Sequence, residues 1–162
     1  MISGSGWLNM RVGLLGICAF GVLVGAGPVP DETPAVPPEE REGVIFERQQ
    51  TMLQLERDGE VLGKIVAGTL PSDGLAQVTR SIANGAKDAV ENYRLKVPGG
   101  RSKPEVWSNY PDFVDRMERF ARNADAMAKA GATGNVIAVT GLMIDGMPCK
   151  QCHDVYREPK KP

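Results

Sequence analysis

Apolar residues recur at helical spacing in four separate stretches of the chain. No stretch shows the alternation with period two that a half-buried strand requires. In the first stretch Ile45, Arg48, Met52, Leu55, Gly59, Leu62 and Val66 step by 3 and 4 residues, the seam of a helix that faces other helices. It predicts a helix over about 44–67. Arg48 stands inside that seam, where a cation demands an anionic partner. Gly59 costs about 1 kcal/mol relative to alanine in a helix interior, so a close approach by another backbone or a flat ligand is expected there.

A turn at 69–74 precedes a second predicted helix over about 72–93, with Leu75, Val78, Ile82, Ala86, Ala89 and Tyr93 as its stripe. Residues 97–104 are dense in turn dipeptides and read as an irregular crossing. Trp107 ends that loop and is expected to lie as a lid on the bundle. Pro111 suits the first turn of a third helix, whose inner side carries Phe113, Met117, Phe120, Ala124 and Met127. Gly131-Ala132-Thr133-Gly134 breaks it. The fourth helix is predicted from about 135 to beyond Tyr156, with Val139, Leu142, Gly146, Cys149, His153 and Tyr156 inward. Pro148 removes a hydrogen bond inside it, so a kink is expected there. Four amphipathic helices with short connections predict an all-α fold, an antiparallel up-down-up-down four-helix bundle with its cofactor between facing helices.

The length of 162 residues suits one domain, and a net charge of −1 implies no basic face and no nucleic-acid partner. Residues 1–26 read as a signal peptide that is removed. Met10 and Arg11 give a short positive start, 12–25 is an apolar run, and Val24-Gly25-Ala26 offers small residues for cleavage. Left uncleaved, that segment is the chain's one expected contact with a membrane. Cys18 falls inside it, and Ile17 before it is bulkier than a lipoprotein site wants. Residues 27–43 are rich in proline and acids and read as an extended linker. The domain is expected over 44–158, with 159–162 as a tail.

The run Cys149-Lys150-Gln151-Cys152-His153 carries the chemistry. C-x-x-C-H is a covalent haem attachment pattern: two thiols add to the vinyl groups of one haem, and the imidazole beside them reaches the iron. On a helix the three side chains stand at i, i+3 and i+4 and share a face. A thioredoxin-type pair would need a βαβ setting, which is missing. A zinc site needs about four ligands, and the chain has three cysteines and one histidine. Haem attachment is an exported process, so the signal segment and this run support each other. Both imply the periplasm.

Three segments together resemble the cytochrome c-prime family, the class II c-type cytochromes. They are Cys149 to Arg157, matching its C-x-x-C-H-x-x-Y-R ending; Arg48-Gln49-Gln50-Thr51-Met52, matching its helix-one segment; and Lys103-Pro104-Glu105-Val106-Trp107-Ser108 followed by Phe113. The resemblance implies one haem c, a bundle that is often a homodimer, and His153 as the proximal iron ligand. Met52 falls at the distal place, which holds an apolar blocker in five-coordinate members and an iron-bound methionine in low-spin members. Pro148, just before the first cysteine, departs from the family pattern.

Counting agrees with methionine ligation, since the single histidine leaves Met, Lys or nothing for the second axial position. Met143 and Met147 share the predicted helix of His153. Met117 and Met127 stay open, although seam methionines are more often core filling. Met52 is the expected ligand. Arg48, Arg157 and Arg101 are candidates for pairing with haem propionates; the alternative for Arg157 is a cation at a helix C-terminus. The function expected is one-electron transfer between redox partner proteins, with no enzymatic activity. The alternative is a five-coordinate haem protein that binds NO or CO, with Met52 as a shield.

Overall fold

A computed structural model describes residues 36–160 of the chain. The expected signal segment, and the linker as far as 35, lie outside the described residues. Six helices follow: α1 Pro38–Val66, α2 Leu75–Asn92, α3 Glu105–Ser108, α4 Tyr110–Gly131, α5 Val136–Gly146 and α6 Cys149–Tyr156. A 3-10 turn, Ser72–Gly74, leads into α2. Among the described residues there is no strand, only an isolated antiparallel bridge between Ser102 and Arg157.

Consecutive long helices pack side by side: α1 on α2, α2 on α4, α4 on α5. Joined by short connections they run up and down as a four-helix bundle, the fourth member being α5 and α6 in succession. The core is a line of aliphatic and small side chains, including Leu62, Leu75, Ile82, Ala86, Met127 and Val139, all fully buried. Alanine on α2 and α4 lets these helices approach closely, as the small residues in the sequence stripe imply.

Three expectations need correction. α1 begins at Pro38, inside the stretch expected to be an extended linker to 43. Proline lacks an N–H that the first turn would leave unpaired in any case, and Glu39 and Glu40 sit in the first turn, where a carboxylate suits the helix dipole. α1 therefore takes in residues 38–43 of the stretch expected as linker. Trp107 does not end a loop but stands on the one-turn helix α3. Its ring stacks on Tyr110 at 6.3 Å, and its Nε1 is buried with no hydrogen-bond partner among the described residues.

The third correction concerns the fourth helix, which is broken where a kink was expected. The Met147 N–H still reaches Met143 O at 3.2 Å, but the Cys149 N–H turns to Met147 O at 2.9 Å and a new helix starts. Pro148 offers no N–H to bridge the gap. Within α5, Leu142, expected inward, is exposed, while Val139 and Gly146 are buried as expected.

Candidate cofactor site

The break places α6 across the open side of the bundle, and a cavity of about 1000 Å³ lies behind it. That is the upper end of the ~300–1,000 Å³ usual for ligand pockets. Met52, Leu55 and Gly59 line it from α1, Phe113, Met117 and Phe120 from α4, and Met143 and Met147 from the α5–α6 junction. Cys149, Cys152, His153 and Tyr156 of α6 complete the wall. The i, i+3, i+4 spacing thus aims both thiols and the imidazole into one space. A shallower hollow of about 420 Å³ beside Trp107 is lined by Lys96, Pro98, Ser102, Pro104 and Ser108 and offers no thiol or imidazole.

The donor set fits a covalent haem. Both cysteines are free, Cys149 exposed and Cys152 half-buried. Among the described residues no three His, Cys, Asp or Glu side chains converge as a metal cluster, which disfavours a zinc site. Burial holds both thiols above their ordinary pKa, with Arg157 opposing this at Cys149 and Arg116 at Cys152. Burial also pushes the His153 imidazole down, and the charges of Arg157 and Arg101 push it further. A neutral imidazole has a lone pair for a metal.

Gly59 owes its place to this site. A Cβ there would stand 3.3 Å from Met147 Cε, so the close approach expected at this glycine comes from a methionine side chain. Met147 therefore reaches α1 across the cavity wall, which a continuous fourth helix would not have implied. Met127 is fully buried and does not line the cavity; it is core. The methionines that face the site are Met52, Met117, Met143 and Met147.

Arg48 lines the cavity but finds no anionic side chain. It is 4% exposed and donates to three carbonyls: Nε to Asn92 O at 2.9 Å, Nη2 to Leu95 O at 2.6 Å and Nη1 to Val97 O at 2.6 Å. Its guanidinium carbon lies 4.4 Å from the centre of the Tyr93 ring. Burial lowers its pKa and the two tyrosines, Tyr93 and Tyr110, partly offset this. The expected anion is replaced by carbonyls at and beyond the C-terminus of α2, where helices leave acceptors free.

Gly99, Gly100, Arg101 and Ser102 form the rim of the cavity. Gly99 has φ +145° and a Cβ there would meet Ile45 Cδ1 at 2.6 Å, so only glycine lets this rim lie on α1. Arg101 Nε and Nη2 hold Glu158 O at 3.0 and 2.7 Å. Arg157 is exposed at the same rim, its N–H held by His153 O at 3.0 Å.

Sequence reasoning missed Asp112. Its carboxylate accepts from the Tyr156 hydroxyl and, at 2.7 Å, from Arg116 Nε. These two hydrogen bonds hold its pKa below the ordinary carboxylate value, the tyrosine being the larger cause. A depressed pKa contributes stability that is present above the unfolded value and lost as pH falls through the folded one. Replacing Asp112 by Asn should therefore destabilise the protein at neutral pH, and the gap from wild type should close as pH falls below ~4. Urea midpoints at several pH values check this; a gap that stays constant into acid would refute it. The i,i+4 spacing of Asp112 and Arg116 was visible, but the tyrosine that makes the pair part of the site comes from 44 residues away.

The family model described as Cytochrome C' matches residues 43–157. A cytochrome c-556 of Agrobacterium fabrum is 26% identical over 118 residues, 71% of this chain and 81% of that protein. A cytochrome c' of Alcaligenes xylosoxydans is 33% identical over 63 residues, 38% of this chain; the match spans half the length of that curated relative. Among solved structures, ferric cytochrome c prime from Alcaligenes xylosoxidans superposes with TM-score 0.68 at 21% identity, covering 74% of this chain and 97% of that one. Cytochrome c' from Rubrivivax gelatinosus gives 0.67 at 22%, covering 73% and 97%. A mutant of the Alcaligenes protein is known as a nitric oxide complex. At these identities the superpositions show the fold.

Proposed function

Because this chain belongs to the Cytochrome C' family, we propose that it is an exported carrier of single electrons, with one haem c held by His153 and Met52. The observation that supports this best is that Met52 of α1 and His153 of α6 line one cavity from different helices. Two ligands on separate elements can approach a flat group from two sides, which two ligands on one short helix cannot. When bound, the haem supplies a one-electron ferric/ferrous couple, whose potential His/Met ligation raises.

The chain's own residues do the rest. Cys149 and Cys152 would hold the haem through two thioethers and so fix its register on α6. His153 offers its neutral imidazole. Met52 offers a thioether, a soft and neutral donor. Leu55, Phe113 and Phe120 give the cavity apolar walls, and an apolar shell around a site tunes its potential. Arg157 and Arg101 bring positive charge to the His153 side, where propionates want a charge-assisted partner. Arg48 has committed three of its five N–H donors to carbonyls, so its part is chiefly to build the wall. The expected partners are redox proteins outside the inner membrane and a second copy of the chain. Among the described residues no helix is long and apolar enough to cross a membrane.

The test is the ferric absorption spectrum of the protein made in a host that attaches haem. Six-coordinate low-spin bands with slow carbon monoxide uptake by the ferrous form support the carrier. High-spin bands with rapid NO or CO binding would replace it with the gas-binding reading.

A further inference from the structure

α6 carries both thiols and the imidazole, yet Met147 and Pro148 cut its hydrogen-bond ladder off from α5. A helix of eight residues does not hold itself in water. Its C-terminal end is tied to the rim: the Lys103 N–H donates to Tyr156 O at 3.0 Å and the Glu158 N–H to Arg101 O at 2.8 Å. These ties, with Lys103 Nζ on Asp154 O at 3.0 Å, hold α6 to the rim and leave its roll against α4 to be set elsewhere. A roll of about 20° moves a side-chain tip at the helix's ~5 Å radius by roughly 2 Å. Misplacement of that size is enough to spoil a functional constellation.

A buried side chain of α6 ties it to α4. Tyr156 lies one turn beyond His153 on the same face, is 4% exposed, and sits edge-on to Phe113 of α4 with ring centres 5.1 Å apart. Its hydroxyl donates to the Asp112 carboxylate and accepts from Asn109 Nδ2 at 3.3 Å. Arg116 Nε holds the same Asp112 oxygen at 2.7 Å, so the carboxylate is itself fixed to α4. We propose that Asp112 is a positioning residue, which through the Tyr156 hydroxyl sets the roll of α6 and hence the direction of the His153 imidazole. This rests on His153 holding the haem and not on what fills the distal position, so it stands whichever way the spectrum above comes out.

Five variants of the haem-loaded protein test it: Asp112→Asn, Asp112→Ala, Tyr156→Phe, and each Asp112 change combined with Tyr156→Phe. An asparagine oxygen can still accept from Tyr156, so Asn removes charge alone, whereas Ala removes charge and tie, and Phe removes the tie alone. The readouts are amide hydrogen exchange in α6 and the midpoint potential. Exchange in α6 should rise about tenfold in the Ala and Phe variants, the worth of one charge-assisted hydrogen bond, and by clearly less in the Asn variant, which keeps a neutral bond to Tyr156. The Ala and Asn variants should differ in potential in the same direction as the shift that Tyr156→Phe alone produces. With Phe at 156 that difference should vanish. A tenfold change in the reduction equilibrium would read as 59 mV for this one-electron couple. Ala and Asn variants that are alike while Tyr156 is present, or a Tyr156→Phe protein with wild-type exchange and potential, would overturn the proposal. Should Asp112→Ala fail to fold, Tyr156→Phe must still move both readouts, and Asp112→Asn must move exchange less than Tyr156→Phe does.

Discussion

Changing Met52 to leucine should convert the ferric haem from low spin to essentially complete high spin, lower the midpoint potential and open the ferrous iron to carbon monoxide. Leucine keeps the apolar volume, and swaps of this kind cost a core less than about 1.5 kcal/mol, so the fold should survive. What is lost is the sulfur. The structure narrows the competition that the sequence left open: Met127 is core and leaves Met117, Met143 and Met147 as the other thioethers on the cavity wall. Met147 has become a sharper rival than its place in the chain suggested, because the break before Cys149 frees it to reach α1 at Gly59. The comparison is therefore four single leucine variants side by side. Only Met52→Leu should change spin state. If Met147→Leu does so and Met52→Leu does not, the distal assignment moves to Met147, and if none does, no methionine ligates the iron.

What was legible in the sequence follows from what kind of signal carries it. Cys149, Cys152 and His153 declare themselves by residue type and by spacing, and a helix at that point was enough to bring them into one cavity. The seam of α1 was equally plain, since Leu55 and Leu62 alternate with exposed acids and amides. The fourth helix was harder. The segment 136–146 is apolar on nearly every side, with Ile137 and Ile144 exposed as well as Val139 buried, so periodicity could not say which side faces in. Pro38 was read as linker because proline-rich runs resemble linkers, although the same residue is well suited to a helix start.

Arg48 shows the deeper limit. A cation in an apolar seam predicts an anionic partner, and the structure supplies neutral acceptors instead. Its acceptors are main-chain carbonyls of Asn92, Leu95 and Val97, and a carbonyl carries no mark of residue type. No motif search could have found them. Asp112 hid for a related reason: its link to Tyr156 exists only once α4 and α6 are side by side.

Replacing Arg48 by methionine should cost about 3–5 kcal/mol of stability. Hydrogen bonds to a charged group contribute about 1.5–3 kcal/mol each, and three are lost together. The sum is an upper bound, because carbonyls near the surface recover some water. Val97 cannot, being fully buried. A loss of this size is a fifth or more of the ~5–15 kcal/mol that holds an ordinary domain. Lysine should rescue little, since a single ammonium on a flexible stem cannot reproduce the planar fork that meets three acceptors at once. Urea unfolding of the haem-loaded proteins should thus rank wild type well above Arg48→Lys, with Arg48→Met lowest. The segment these carbonyls belong to continues into Gly99, Gly100 and Arg101 at the cavity rim. The yield of haem-loaded protein should fall in the same order, because a rim that is not held to α1 leaves the cavity open while the thioethers form. A methionine variant within about 1 kcal/mol of wild type would mean that the guanidinium does not hold this loop. Arg48 would then have to answer to a different partner, and the haem propionates would be the first to examine.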